Sequence, residues 1–480
     1  MRVEASSHDF NEIIKSYNIR FIDLHFTDIL GRLHHVTVTG SYLDDRILRD
    51  GVPKLDGSSI KGFAEIYDSD MVLRPDISTL ALLPWNNNSG RIARMICDVY
   101  KGYGKGRLTI DPRYVAQRAE AYLKESGFDE SYWGPEVEFF VFDKVYWDVQ
   151  TMGSGMSYYI DSKEAPWSLN RIRSGYPIRF KEGYFPVPPQ DTLMEYRGEV
   201  CRILTEYFGI EVDAHHHEVA TAGQCEIDLK YDRLVKMADN VQTYKYVAKN
   251  VAKQMNLIAT FMPKPIFGDN GSGMHVHVSI WKDGVNLFYD SEDNYAELSQ
   301  LARYFIGGLL EHSRALAAIV APTTNSYRRL IPGYEAPVFI AWSKSNRSVN
   351  VRVPAYHRGA NSSNMKRIEF RTPDSSANPY LCFASILAAG LDGIKKKIDP
   401  GDPVDENIYK LTAEQKRQLG IRELPGSLKE AVESLRSDRE FLKPVMTDDL
   451  IDTLIEIEMD CYQEVNSKPH PYEFHLYFDI

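Results

Sequence analysis

Four short segments place polar, chemistry-bearing side chains two residues apart. They are Glu136 and Glu138 in GPEVEFF, His275 and His277 in GSGMHVHVS, Asn350 and Arg352 in SVNVRVP, and Glu369 and Arg371 in RIEFRTP. Residues two apart on a β-strand share a face, so each segment reads as a strand with one polar and one apolar side. A fifth segment, HHHEVATAGQCEID, adds His216, Glu218 and Glu226 across a turn containing Gly223. Any one of these pairs alone reads as the solvated face of an antiparallel strand, because charged side chains are mostly exposed. Together they read differently: solvated faces favour Lys, Thr and mixed charges, whereas these residues are metal ligands and anion clamps. If the strands share one sheet, its polar face lines a cavity.

That cavity would gather the carboxylates of Glu136, Glu138, Glu218, Glu226 and Glu369, which repel one another unless divalent cations neutralise them. Oxygen-rich ligation with an imidazole and no thiolate favours Mg²⁺ or Mn²⁺ over a structural zinc. Arginines on the same face would fork onto carboxylates and phosphates. Metals with arginines in a walled cavity point to phosphoryl transfer, where catalysis is positioning and charge stabilisation. The chain has no G-x-x-x-x-G-K-[ST], no G-x-G-x-x-G and no kinase signature set, so ATP would be held in some other way. On residues alone this is a carboxylate-rich, two-metal, nucleotide-using enzyme with its substrate unnamed.

The elements that must position these groups follow from period and turn signals. Ile19–His25 and His34–Thr39 read as strands joined by a turn at Asp28–Gly31. The glycine-rich KGYGKG, 101–106, reads as a linker, and Asp111-Pro112 as the cap and first position of a helix running to about Gly127. Beyond it strands are expected at Glu136–Asp143, Met274–Trp281, Ser348–Pro354 and Arg367–Thr372. Helices are expected at Asp191–Phe208, Asp232–Met255, Ala296–Ile319, Pro379–Lys397 and Asp448–Asn466, with an ordered insertion at Val145–Gly183. A chain of 480 residues can bury a large core. Its net charge of −11 supplies no basic field for nucleic acid or an anionic membrane. Five scattered cysteines, none in a C-x-x-C pair, suggest neither a disulfide framework nor a thiolate metal site. The first residues lack an apolar signal core, and no apolar run reaches the ~18 residues of a membrane span, so a cytoplasmic protein is expected.

At this point the segments resemble a known family. DGSSIKGF, GPEVEFF, GYFPVPP, HHHEVATAGQCEID, NGSGMHVH, RRLIPGYEAP, SKSNRS and RIEFRTPDSSANPYLCFASILAAGLDGI resemble type I glutamine synthetases, in order and over nearly the whole chain. The resemblance implies an α+β fold of the glutamine synthetase/guanido kinase-like kind. A small β-grasp-like domain would span residues 1–106 and a catalytic domain 107–480, with a curved antiparallel sheet backed by helices. It implies a dodecamer of two hexameric rings, with sites between adjacent subunits and small-molecule substrates. The implied reaction is ATP-dependent ligation of ammonia to glutamate through γ-glutamyl phosphate. By motif position, Glu138, Glu218 and Glu226 would hold one metal, and Glu136, His275 and Glu369 the other. Asn270, Gly271, Arg329, Glu335 and Arg371 would bind glutamate. Asp213, His277, Ser279, Arg347, Arg352, Lys366 and Arg367 would serve ATP, with Arg347 also stabilising the transferring phosphoryl group. Asp56, Ser59, Tyr184 and Glu218 would form the ammonium pocket, Asp56 taking the proton, and Glu335 would sit on a flap that keeps water from the intermediate.

The sequence also departs from the family's patterns. The insertion and the C-terminal HPYEFHLYFDI resemble the β subtype, some of whose members are adenylylated on a tyrosine. Tyr409 falls at that place, but Lys410, Leu411 and Thr412 replace the flanks expected there. Glu65 lies near where the α subtype has a feedback arginine, which argues against that mechanism too. Two other readings remain: a γ-glutamyl ligase for polyamines or ethanolamine, and a non-catalytic, ring-forming regulatory protein on the same fold. The first usually departs at the ammonia pocket and the second should lose metal ligands; this chain does neither. A regulatory protein partner is left open.

Overall fold

The computed structural model describes residues 10–85, 90–102, 104–149, 155–168, 176–356 and 359–480. The N-terminal part builds a five-stranded sheet in the order Leu33–Thr39, Ile19–Thr27, Arg91–Lys101, Asp70–Leu82, Val52–Asp56. The first two strands form the expected hairpin, its turn closed by Asp28 N–H donating to Arg32 O and Gly31 N–H to Asp28 O, both at 3.0 Å. Ile19–Thr27 then runs parallel to Arg91–Lys101, which completes a β-grasp arrangement.

Helix Pro112–Glu125 follows, with Asp111 accepting from the Arg113 N–H and proline placed where no helical donor is lost. Arg113 locks the two halves of the chain together. Its guanidinium donates to Asp98 and Asp76 of the small sheet, each at 2.7 Å, and to Asp239 of helix Leu234–Gln254 at 3.1 and 3.0 Å.

Among the described residues the second sheet has eleven strands. Its main path runs Arg422–Glu423, Phe339–Lys344, Val349–Val353, Ile368–Phe370, Met274–Lys282, Glu130–Phe142, Gln224–Leu229, Val212–His217. The five polar segments therefore do share one sheet. Among the described residues it is antiparallel, as expected, apart from one pair, Phe339–Lys344 with Val349–Val353, which run parallel. Asn350 also departs from the expected polar face. It accepts from Ala341 N–H at 3.1 Å and donates to Ser313 Oγ at 2.9 Å, away from the cavities.

Long helices back the sheet. Gln300–Val320 and Pro379–Lys396 touch backbone to backbone: a Cβ on Gly308 would lie 2.1 Å from Ala389 O, and one on Gly393 would lie 2.3 Å from Tyr304 O. Only glycine permits that approach. Several helices begin later than periodicity suggests because capping and pairing compete. Asp232–Arg233 pairs with the sheet strand at Trp133 and Tyr132, so the helix starts at Leu234. Asp191 holds Arg197, and that helix starts at Met194; Ser299 caps the next, which starts at Gln300. The Glu130–Phe142 strand starts earlier than expected, since Glu130–Pro135 pairs along Met274–Trp281. Within the Val145–Gly183 insertion, Lys144–Asp148 and Ser157–Asp161 form a hairpin, while 150–154 and 169–175 lie outside the described residues. The cysteines are free thiols. No helix among the described residues is long and apolar enough to cross a membrane.

Candidate functional site

Strand register arranges the polar residues in rows across the sheet. His216 lies opposite Glu226, and Glu226 opposite Glu138. Asp228 lies opposite Glu136, and Glu136 opposite His275. His277 lies opposite Glu369, and Glu369 opposite Arg352. Carboxylates directly opposite one another destabilise a sheet, so the Glu226–Glu138 and Asp228–Glu136 pairs have no structural rationale by themselves.

Two cavities open on these rows and share Glu136 and Asp228 as their common wall. The smaller, about 220 Å³, is lined by Glu138, Tyr184, Glu218, Glu226, Asn270, Gly271, His275, Arg329, Glu335, Arg347 and Arg371. The larger, about 470 Å³, is lined by Asp213, His277, Ser279, Lys366 and Arg367, with Tyr132, Tyr231 and Trp281 as aromatic walls.

Ligand atoms of Glu136, His275 and Glu369 lie within 4.8 Å of one another, and so do those of His216, Glu218 and Glu226. His216 is a potential ligand that motif reasoning left out, its Nε2 3.3 Å from Glu226 Oε1. Glu138 is placed differently: its Oε2 accepts from Gln224 Nε2 and from Gly273 N–H, each at 3.0 Å, and its Oε1 stands 4.0 Å from His275 Nε2. Gly273 must lack a side chain here, because a Cβ would come within 2.7 Å of His275 Nε2 and 2.8 Å of Arg329 Nη2.

The first group carries its own counter-charge. Arg352 and Arg371 each donate to Glu369. Arg367 Nε donates to His277 Nδ1 at 3.1 Å, which leaves His277 Nε2 as the donor to Glu136 Oε1 at 2.9 Å. Burial works against both acids, yet Arg371 and His277 bring Glu369 down to about 2, and His277 and His275 hold Glu136 well below the ordinary carboxylate range. The second group behaves in the opposite sense. Burial, then Glu138, pushes Glu218 up to about 8; burial, then Glu136 and Glu138, pushes Glu226 well above the usual range. Asp228 rises to about 6 through burial and Glu136. Asp228 Oδ1, Arg352 Nε and Arg371 Nε are buried with no hydrogen-bond partner among the described residues. A divalent cation beside the second group is the chemistry that would let those carboxylates ionise together. The donor sets fit hard or borderline dications.

Other expected residues take definite places. Arg329 is buried and anchored by Nη1 and Nη2 on the carbonyls of Thr372 and Arg371, at 3.0 and 3.2 Å. Lys366 donates to Ala296 O at 2.7 Å. Arg352 also donates to Tyr356 OH at 3.0 Å, and Ser279 Oγ accepts from Trp281 Nε1 at 2.9 Å. Glu335 adopts φ +61° on an exposed loop whose Gly333 has φ +91°. Tyr184 is 51 % exposed and stacks on Phe185 at 4.0 Å. Asp56 and Ser59 line neither cavity. They stand exposed on the small sheet, Asp56 accepting from Ser58 and Ser59 hydroxyls at 2.7 and 3.0 Å. Sequence reasoning missed Asp228, whose signal was its two-residue spacing from Glu226. It also missed the aromatic walls, for which no spacing rule pointed inward.

Comparison with known proteins adds a family. The profile described as "Glutamine synthetase, catalytic domain" matches residues 109–477, and "Glutamine synthetase, beta-Grasp domain" matches 18–102. A glutamine synthetase of Sulfolobus acidocaldarius is 56% identical over 475 residues, covering 99% of this chain and 98% of that one. One of Escherichia coli is 45% identical over 475 residues, covering 98% of each. The solved structure of Plasmodium falciparum glutamine synthetase superposes with a TM-score of 0.87 at 27% identity, covering 99% of this chain and 100% of that one.

Proposed function

The chain belongs to the glutamine synthetase family and is a ligase that joins ammonia to glutamate with ATP, giving glutamine, ADP and phosphate; we propose that the reaction runs along the floor shared by the two cavities. ATP occupies the aromatic-walled cavity beside Asp213, His277, Ser279, Lys366 and Arg367. Glutamate occupies the smaller one beside Asn270, Gly271, Arg329 and Arg371. The phosphoryl group crosses near Glu136 and Asp228, the residues common to both. What supports this reading is the set of opposed carboxylate rows, costly as structure and useful as a cation-binding floor.

Glu136, His275 and Glu369 would hold one divalent cation, Mg²⁺ or Mn²⁺. Glu138, Glu218 and Glu226, joined by His216, would hold another. A bound dication supplies Lewis-acid stabilisation of phosphoryl charge. Arg347 and Arg352 add fixed positive charge beside the moving phosphoryl group. Arg329 and Arg371, held by their own backbone and carboxylate contacts, are preorganised to fork onto the substrate carboxylate. Glu335 closes its loop over the glutamate cavity and keeps water from γ-glutamyl phosphate.

Tyr184 and Glu218 form the near wall of the ammonium pocket. Asp56 and Ser59, exposed and lining neither cavity of their own chain, reach the site of a neighbouring subunit, where Asp56 takes the proton from ammonium. On this reading the enzyme works as a dodecamer of two hexameric rings, in the cytoplasm, with the boundary between its two domains at 106/107. Tyr409 is not an adenylylation site in this reading, since its hydroxyl is engaged with Ala336 O at 2.6 Å.

The test is phosphate release from ATP with Mg²⁺ and glutamate, with ammonium, putrescine, spermidine or ethanolamine as acceptor. Ammonium-dependent turnover that yields glutamine and is lost in Asp56→Ala is expected. Turnover only with an amine would move the chain to the γ-glutamyl amine ligases. No turnover by intact rings would make it a non-catalytic member.

A further inference from the structure

A second group of ligand-type side chains lies on the small sheet, outside the site described above. Asp23 and His25 are two apart on Ile19–Thr27, and His35 stands directly opposite His25 on the neighbouring strand. All three therefore project from one face. Their ligand atoms lie within 4.8 Å of one another. His35 Nδ1 is 3.4 Å from Asp23 Oδ1, and His25 Nε2 is 3.9 Å from Asp23 Oδ2. The group opens on a cavity of about 780 Å³ between the small sheet and helix Leu234–Gln254. Asp23 and His25 are buried at its wall, and His35 is the exposed member.

We infer that Asp23, His25 and His35 form a binding site for a borderline dication of the zinc(II) class, with an open coordination position facing this cavity. Two imidazoles and one carboxylate suit such an ion and not Mg²⁺, which takes oxygen ligands and keeps its water. The scaffold is rigid, because a two-residue step on one strand and a registered cross-strand neighbour fix all three Cβ positions. Asp23 is also oriented from behind: Thr37 Oγ1 donates to its Oδ1, the kind of outer contact that aims a metal-binding carboxylate. The His25 ring is set edge-on against Tyr246 at 5.1 Å.

An ordinary aspartate–histidine hydrogen bond accounts for the arrangement less well. His25 Nε2 at 3.9 Å is beyond hydrogen-bond reach of Asp23, yet that spacing is normal between two ligands of one ion. The cavity also carries Arg32, Lys245 and Lys249. Burial pushes Lys245 down to about 7 and lowers Lys249, so the charge rests first on Arg32; it disfavours a bare dication and suits an anionic ligand at the open position. A bound ion would cross-link the hairpin at its His25–His35 pair, and the glutamate ligase reaction would not pass through it.

The experiment is a Co²⁺ titration of the full-length, chelator-treated assembly, read by ligand-field absorption and by metal analysis after gel filtration. Wild type, His35→Ala and Thr37→Val are compared, all with unaltered catalytic residues. His35 is exposed, so its removal leaves the fold intact, and unchanged glutamine synthesis confirms this for each variant. Wild type is expected to retain one Co²⁺ per chain more than His35→Ala. Thr37→Val should weaken that extra ion by about 10-fold or more. Equal retention by wild type and His35→Ala overturns the assignment, as does an extra ion that persists when His25 and His35 are both replaced by alanine.

Discussion

Replacing Tyr409 by phenylalanine removes one oxygen atom and, with it, one of the ties on the Glu335 loop. The hydroxyl donates to Ala336 O at 2.6 Å, one residue from Glu335. The loop's other ties survive the change: Lys181 and Lys264 stand over the Tyr334 ring at 4.0 and 3.8 Å, and Lys181 Nζ also donates to Gly333 O at 3.1 Å. The aromatic ring itself, packed on Phe339 at 5.7 Å, stays in place. The loss is therefore one hydrogen bond, a net of about 0.5–1.5 kcal/mol. At ~1.4 kcal/mol per decade, that opens the loop about 2- to 12-fold more often. A loop that excludes water by closing loses more acyl phosphate to hydrolysis when it opens more often. The assay is phosphate release from ATP and glutamate without ammonium, divided by glutamine formed when ammonium is present. That ratio should rise by about 2- to 12-fold in Tyr409→Phe. A ratio equal to wild type would refute the claim that Tyr409 positions the loop, and with it the reading that its hydroxyl is committed to structure.

Three further outcomes follow from contacts elsewhere in the chain. Arg113→Met should cost about 3 kcal/mol, near the lower end for breaking a buried ion pair. Asp98 keeps Arg107 at 2.9 Å, while Asp239 keeps, among the described residues, a single side-chain hydrogen bond, from the Tyr380 hydroxyl at 2.7 Å. Adding Asp239→Asn should therefore recover more than half the loss in denaturant titrations at fixed protein concentration, and simple additivity of the two changes would contradict this. Burial opposes charge on His312, but Asp438 and Asp392, at 2.8 and 2.9 Å, outweigh it and raise its pKa above the ordinary 6.5. Its stabilisation is full below that ordinary value and is lost as pH rises through the raised one, so His312→Gln should destabilise more on the acid side than on the alkaline side, whereas a pH-independent penalty would exclude the ion-pair account. Gly271→Ala would put a Cβ 2.6 Å from Pro263 O and 3.0 Å from Arg329 Cγ; overpacking of about 1–3 kcal/mol should displace Arg329 and raise KM for glutamate, with KM for ATP unmoved.

Much of the site was legible because buried strands with alternating acids, imidazoles and guanidiniums are hard to explain as solvated faces. The two-residue period brought Glu136, Glu138, His275, His277 and Glu369 onto one sheet, where they lie. Register was not legible. His216 joins Glu218 and Glu226 only because the hairpin sets His216 opposite Glu226, and a shift of one residue would have turned it away. Asn350 shows the converse error. Period alone put it with Arg352, but its side chain is committed to Ala341 and Ser313. The aromatic walls of the larger cavity come from Tyr132 and Trp281 on neighbouring strands and Tyr231 just beyond a third. Such a wall is a property of three distant segments meeting, and no local pattern encodes it. Helix starts failed where a side chain had a better use outside the helix, as with Asp191 on Arg197.

The two ligand groups differ in what the protein itself supplies. Glu136 and Glu369 face His275, His277, Arg352 and Arg371, so their charge is balanced before any ligand arrives. Glu218 and Glu226 face one another, Glu138 and a single imidazole, with His216 at 3.7 and 3.3 Å. Like charges gathered without counter-charge are tolerated only by taking up protons or cations. The first group is therefore built to keep its shape with or without an ion. The second is built to change its protonation when an ion or a cationic substrate enters, and it is the group that shares its wall with Tyr184 and the proposed ammonium pocket. Under the function proposed above, a floor divided in this way would give the phosphoryl side a fixed field and the amine side an adjustable one, one for each half-reaction.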